Sequence, residues 1–159
     1  MTSNSEDTFQ AALDTAVRSL GRFAKTTREL SGMLVKRGYS QDIAQLVVEK
    51  CLSYNYLDDE AYALAYYRDK VLCKGKSPRL VRSELLAKGI DIETVLQAEA
   101  SLAEDEILQA AKDLVQSKLR RDHSDTGKRR ALNMLQRRGH DLSLSFQVVN
   151  EVVAELSET

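Results

Sequence analysis

Residues 73–80 read CKGKSPRL, and Gly75-Lys76-Ser77 within them spells the end of a phosphate-binding loop. In such a loop the backbone N–H groups cradle phosphates, the lysine reaches the outer phosphates and the serine holds a metal ion. The curl that aims those N–H groups needs an earlier glycine and a permissive backbone between the two. Here the earlier position is Lys70, and Val71, Leu72, Cys73 and Lys74 fill the interval. Pro78 directly after the serine fits the first turn of a helix, where its missing N–H is not needed. The stretch therefore predicts Ser77 as an N-cap and a helix from Pro78 to Lys88, not a nucleotide site. Lys74, Lys76 and Arg79 remain as cations able to contact phosphate or carboxylate groups.

No other constellation points to catalysis. Asp58 and Asp59 are adjacent acids with no His, Cys or third carboxylate beside them in sequence. Asp58 predicts an N-cap, with Asp59 and Glu60 on the positive first turn of a helix; Leu57 and Tyr62 flank it as a hydrophobic staple. His123 sits in the polar run RRDHSDTGK and His140 follows Gly139, and neither has metal-ligand spacing. The expectation is no catalytic residue, no metal, no cofactor and no enzyme. Cys51 and Cys73 lie in apolar helical contexts and predict buried free thiols, hence a reducing, cytoplasmic setting. The polar opening MTSNSEDTFQ reads as a flexible N-terminus over 1–8 and not as a targeting peptide. No apolar run reaches membrane-spanning length, so no membrane partner is expected.

The charges carry more information. The 23 Lys and Arg against 24 Asp and Glu give a net charge of −1, but they are segregated. Seven basic residues stand against two acids between Arg68 and Lys88, and eight against two between Lys118 and Arg138. Between them, seven acids face Lys112 alone from Asp91 to Asp113. Two basic blocks around an acidic one present a directional field. Arg68, Lys74, Lys76, Arg79, Arg82 and Lys88 form one candidate patch; Lys128, Arg129, Arg130, Arg137 and Arg138 form the other. Helical spacing places Arg79 with Arg82 on one face, and Arg130 with Arg137 and Arg138 on another.

These residues sit on a repeating frame. ELSGMLVKRGYS (29–40) is echoed by LVRSELLAKGID (80–91) and RALNMLQRRGHD (130–141). Aligned on Gly38, Gly89 and Gly139, each copy has Leu34, Leu85 or Leu135 four positions earlier, a basic residue just before the glycine, and Ser40, Asp91 or Asp141 two after it. A basic last turn, a glycine stop and a capping residue describe two helices joined by a tight turn. A longer helix precedes each pair, at roughly 9–23, 60–73 and 103–120. The alanine- and tyrosine-rich run at 61–67 makes the middle one apolar on most faces, a core helix before it is a base-stacking surface. No strand alternation competes. The predicted architecture is all-α, with three tandem three-helix repeats over 9–55, 56–101 and 102–157 in an elongated, curved stack. Helix pairs on a short glycine turn also occur in helix-turn-helix proteins, so a direct DNA-binding protein is the alternative.

The segment YLDDEAYALAYYRDKVLCKGKSPRLVRSELLAKGID (56–91) resembles the core of the RecX family. Tyr56, Leu57, Asp58, Asp59, Tyr62, Ala63, Arg68, Gly75, Pro78, Arg82, Glu84, Leu85, Lys88, Gly89 and Ile90 fill its pattern. TTRELSGMLVKRGYSQDIAQLVVEKCLSYNYLDD (26–59) is similar to the family's first helix pair, and the likeness runs more loosely to about residue 153. Ser77 stands where the family commonly has glycine, and Thr26-Thr27 where it commonly has Ser-Arg. The resemblance implies a non-enzymatic, all-α regulator that lies in the groove of the filament formed by the RecA recombinase on single-stranded DNA. It implies inhibition of ATPase, strand exchange and co-protease activity, and so a place in DNA repair, homologous recombination and the SOS response. The implied partners are that filament, single-stranded DNA and also double-stranded DNA, met by a monomer through the two basic patches.

Overall fold

The computed structural model describes residues 2–158. Among them are nine α-helices, one π-helical turn and no strand, so the fold is all-α. The helices are α1 (Thr2–Leu20), α2 (Thr27–Lys36), α3 (Gln41–Ser53), α4 (Asp59–Arg68), α5 (Pro78–Ala87), α6 (Ile92–Glu99), α7 (Glu104–Leu119), α8 (Asp125–Arg137) and α9 (Leu142–Ser157). Two boundaries differ from expectation. Residues 2–8, expected as a flexible N-terminus, belong to α1, where Thr8 Oγ1 donates back to the Asn4 carbonyl. The helix expected over 60–73 closes at Arg68 and continues as a π turn, Asp69–Cys73. Lys74 N–H there reaches the Asp69 carbonyl at 3.2 Å, one residue further back than an α-helix allows.

The three glycine turns share one hydrogen-bond pattern. Tyr39, Ile90 and His140 donate their N–H groups to the carbonyls of Leu34, Leu85 and Leu135 at 3.1, 3.2 and 3.1 Å. The glycine between takes φ of 99, 89 and 90°, which a side chain would resist. These are Schellman stops, satisfying helix carbonyls that would otherwise lack donors. Ser40, Asp91 and Asp141 then cap the next helix, accepting from Ile43 at 3.2 Å, Thr94 at 2.9 Å and Leu144 at 2.7 Å. Leu34, Leu85 and Leu135 are each 0% exposed; burying such a leucine stabilises by about 1.5–3 kcal/mol.

The chain divides into two compact units, Met1–Ala63 with Leu85–Val95, and Leu64–Glu84 with Leu96–Thr159. In the first, α1 packs on α3 and α2 on α3 around Leu30, Leu34, Val47, Val48 and Cys51. In the second, α7 packs on α9 and α8 on α9 around Ala131, Leu135, Val148, Val149 and Val152. Counted from Gly38 and Gly139, these two sets occupy the same positions. Each unit also shows one glycine turn seated on the start of another pair's first helix. In the first, Thr26 Oγ1 donates to the Lys88 carbonyl at 2.7 Å. In the second, Ser77 N–H donates to the Arg138 carbonyl at 2.8 Å. Lys88 and Arg138 both stand just before a stop glycine, so the contact recurs with the repeat.

Candidate functional site

The loop that opens with Lys74 is built by the π turn and by α5. Ser77 accepts from Leu80 N–H at 3.1 Å and caps α5, which starts at Pro78. Gly75, at φ 66°, turns the chain between them. A side chain there would stand 2.6 Å from Leu114 Cδ2 on α7, so the loop lies close on that helix. The α8–α9 turn closes on the loop from the other side. Arg138 Nε donates to the Lys74 carbonyl at 2.8 Å, and His140 Nε2 lies 2.8 Å from the Gly75 carbonyl. That carbonyl can only accept, so His140 carries its proton on Nε2. His140 is 6% exposed and clamps the loop; in the sequence it is only a histidine after a glycine. The loop of the first basic block and the turn that ends the second are therefore in contact, although 64 positions separate Lys74 from Arg138.

The candidate cations fall into two groups. Five are tied to the protein itself. Lys76 Nζ meets both oxygens of Glu84 at 2.9 and 2.8 Å, and Tyr66 Oη donates to the same carboxylate at 3.2 Å. Arg82 forms a two-bond fork with Glu99, both at 2.7 Å. Lys88 lies 3.5 Å from Glu29; burial alone would lower its pKa, but Glu29 and Tyr62 raise it overall. Arg68 Nη1 donates to the Ser101 carbonyl at 3.2 Å, and Arg138 is held as described. The sixth, Lys128, is half-buried and 3.8 Å from Asp125 one turn before it. Outward lie Lys74, Arg79, Arg129, Arg130 and Arg137, all exposed.

Two expected faces are thereby redrawn. Arg79 points outward while Arg82, on the same helix, is taken by Glu99. Arg130 and Arg137 line one cleft between α7 and α8, and Arg138 does not join them. Lys118 and Arg121 line that cleft too. They were visible only as part of the second charge block, since it takes the fold to place the end of α7 beside α8.

Glu99 explains much of this sorting. Counted from the stop glycines, it occupies the position held by Val48 and Val149 in the other pairs. Its side chain is 14% exposed against 44% for Arg82. A carboxylate there requires a partner, and the guanidinium fork supplies it. Tyr67, 1% exposed, lies in the field of this pair. Burial, then Glu99, push its pKa up to about 12, with Arg82 opposing.

Asp58 accepts from Ala61 N–H at 3.0 Å and caps α4; Asp59 Oδ1 accepts from Thr27 N–H at 2.8 Å. Cys51 is buried, and burial raises its pKa. Cys73, expected buried, is exposed, because the π turn rotates it off the buried face that Val71 keeps. Among the described residues no group of three or more His, Cys, Asp or Glu could hold a metal, and no helix is long and apolar enough to cross a membrane.

The family model for the RecX second three-helix domain matches residues 58–98. The regulatory protein RecX of Mycolicibacterium smegmatis is 34% identical over 156 residues, covering 94% of this chain and 83% of that protein. That of Mycolicibacterium vanbaalenii is 34% identical over 151 residues, covering 89% and 82%. The crystal structure of RecX from Lactobacillus salivarius superposes with a TM-score of 0.75 at 18% identity, over 92% of this chain and 97% of that one. That last likeness speaks for the fold. With Gly75, Pro78, Lys88 and Gly89 placed as described, and with a third of the residues shared over about nine tenths of this chain and four fifths of named relatives, the chain belongs to the RecX family of regulatory proteins.

Proposed function

We propose that this protein is a non-enzymatic regulator that binds the RecA–single-stranded DNA filament in its groove and inhibits its ATPase, strand-exchange and co-protease activities. The observation that carries the reading is the near full-length similarity to proteins named regulatory protein RecX. Regulation of this kind requires tighter binding to one filament state than another. The outward cations Lys74, on the loop that His140 and Arg138 hold, and Arg79, in the first turn of α5, offer charged contacts close together in the sequence. Partners are the filament and its DNA, met by a monomer in the cytoplasm. The domain reading remains three repeats, 9–55, 56–101 and 102–157.

The alternative, a helix-turn-helix reader of duplex DNA, fits two of the three second helices poorly, and the third, α3, carries Lys50 alone. A recognition helix places polar and basic side chains in the major groove. Neither α6 (IETVLQAE) nor α9 (LSLSFQVVNEVVAELS) contains a Lys or Arg, and their exposed positions include Ile92, Leu96, Leu142 and Phe146.

The test is the DNA-dependent ATPase of the cognate recombinase, with this protein added below stoichiometry. Inhibition is expected, and Lys74→Ala with Arg79→Ala should weaken it about tenfold or more, if each lost charged contact is worth about 1 kcal/mol, with helix content unchanged by circular dichroism. Lys76 is left intact because Glu84 holds it. An ATPase unaffected by the wild-type protein overturns the reading. Full inhibition by the double variant removes this loop from the interface.

A further inference from the structure

Two of the three glycine turns are seated on a helix start, and the α2–α3 turn is not. The α5–α6 turn rests on the start of α2, where Thr26, 0% exposed, donates through Oγ1 to the Lys88 carbonyl at 2.7 Å. A Cβ on Gly89 would lie 2.6 Å from Arg28 Cβ, and Lys88 stands 3.5 Å from Glu29 in the first turn of α2. The α8–α9 turn rests likewise on the start of α5, where Ser77, 5% exposed, donates its N–H to the Arg138 carbonyl at 2.8 Å. In the α2–α3 turn, Arg37 and Gly38 are exposed, whereas Lys88, Gly89, Arg138 and Gly139 are half-buried. A Cβ on Gly38 meets nothing within 4 Å. Among the described residues the Arg37 carbonyl accepts no hydrogen bond.

The start of α8 has the opposite vacancy. Its N-cap Ser124 is exposed, whereas Thr26 and Ser77 are buried. Asp125, the acid of its first turn, has a fully accessible side chain 3.8 Å from Lys128, and Thr126 is exposed beside it. Asp122 covers Gly127, where an added Cβ would meet the Asp122 carbonyl. The seat left open is therefore the one used on α2, the N-cap and the second helical residue. Repeats of one kind bury such surfaces on their neighbours, and the surfaces at the limits of an array stay uncovered.

We propose that the α2–α3 turn of one copy seats on the start of α8 of a second copy, continuing between chains the contact that recurs within each. Arg37 then pairs with Asp125 as Lys88 pairs with Glu29, and the Ser124 hydroxyl donates to the Arg37 carbonyl as Thr26 donates to Lys88. Opposite charges on the two surfaces fix the register of the junction. In the single chain Ser124 Oγ donates to Asp122 Oδ1 at 2.5 Å. Asp122 thus takes the proton that the incoming carbonyl would take, and the dilute chain is a monomer. The joined surfaces differ, so the contact is heterologous and does not stop at two copies.

The experiment is sedimentation equilibrium of the full chain at rising concentration and low salt, with neither recombinase nor DNA present. The average mass should pass twice the chain's 17.8 kDa and fall back as salt screens the Arg37–Asp125 pair. Arg37→Glu and Asp125→Lys should each stay at 17.8 kDa, with helix content unchanged by circular dichroism. An equal mixture of the two variants should assemble again, since one kind of junction between them is wild type and the other pairs the reversed charges. A wild type that stays at the mass of one chain, a plateau at two, undiminished growth in either variant, or a mixture that stays monomeric each overturns the proposal. The contact stands or falls apart from the filament reading. Assembly with an untouched recombinase ATPase keeps the contact and removes that reading; inhibition by a chain that never assembles does the reverse.

Discussion

Arg82 illustrates how charge can mislead at the level of single residues. In sequence it is a helix cation near other cations; in the structure it neutralises Glu99 where neighbouring repeats bury valine. Its pKa is raised by the hydrogen bonds to Glu99 and by that carboxylate's charge. Arg82→Ala leaves a carboxylate only 14% exposed without its fork, and should cost about 1–3 kcal/mol in urea unfolding. Arg82→Leu with Glu99→Val should recover most of that loss, since apolar replacement of an enclosed ion pair is often neutral or better. A double variant as unstable as the single one would mean that the pair sets the packing around it beyond its charge. The same lesson covers Lys76 and Lys88. Charge blocks in a sequence locate cations, but not the carboxylates that Glu84 and Glu29 bring to them across a turn or a neighbouring helix.

At the level of elements the sequence was far more informative, because the glycine turns are local chemistry. Leu34, Leu85 and Leu135, the glycine stops and the caps at Ser40, Asp91 and Asp141 were all readable from one alignment of the chain on itself. The π turn was not, since nothing in DKVLC distinguishes a hydrogen bond that reaches back five residues from the four of an ordinary helix. The seating of Gly139 on Ser77 was equally hidden, being a contact between distant segments. Gly38 and Gly139 separate the two causes of glycine at these stops. A Cβ on Gly38 meets nothing within 4 Å, whereas one on Gly139 would lie 2.5 Å from Ser77 Oγ and 2.7 Å from Leu80 Cβ. Gly38→Ala should therefore cost only the left-handed backbone penalty, about 1–2 kcal/mol. Gly139→Ala should add about 1–3 kcal/mol from overpacking. Equal losses in denaturant melts would show that the contact is slack enough to absorb a methyl group.

Across the whole molecule, near neutrality hides groups that respond to acid in both units. Asp91 in the first unit is held below its ordinary pKa by Thr94, through its N–H and then its hydroxyl. In the second, Ser124 lowers Asp122, and Lys112, then Gln147, lower Glu151. A carboxylate with a depressed native pKa contributes stability that is complete above its unfolded value and is lost as pH falls through the native one. With ordinary values of 3.8 for the aspartates and 4.5 for the glutamate, the loss begins below about pH 4.5. Protonation also removes acids while the 23 Lys and Arg remain charged, so repulsion grows in the same window. Thermal melts followed by circular dichroism should show a midpoint that starts to fall there and continues through the lowered values. Asp91→Asn, which preserves an N-cap, and Glu151→Gln should each flatten part of that fall. A midpoint that falls with unchanged steepness in both variants would assign the acid sensitivity to general repulsion among the basic blocks.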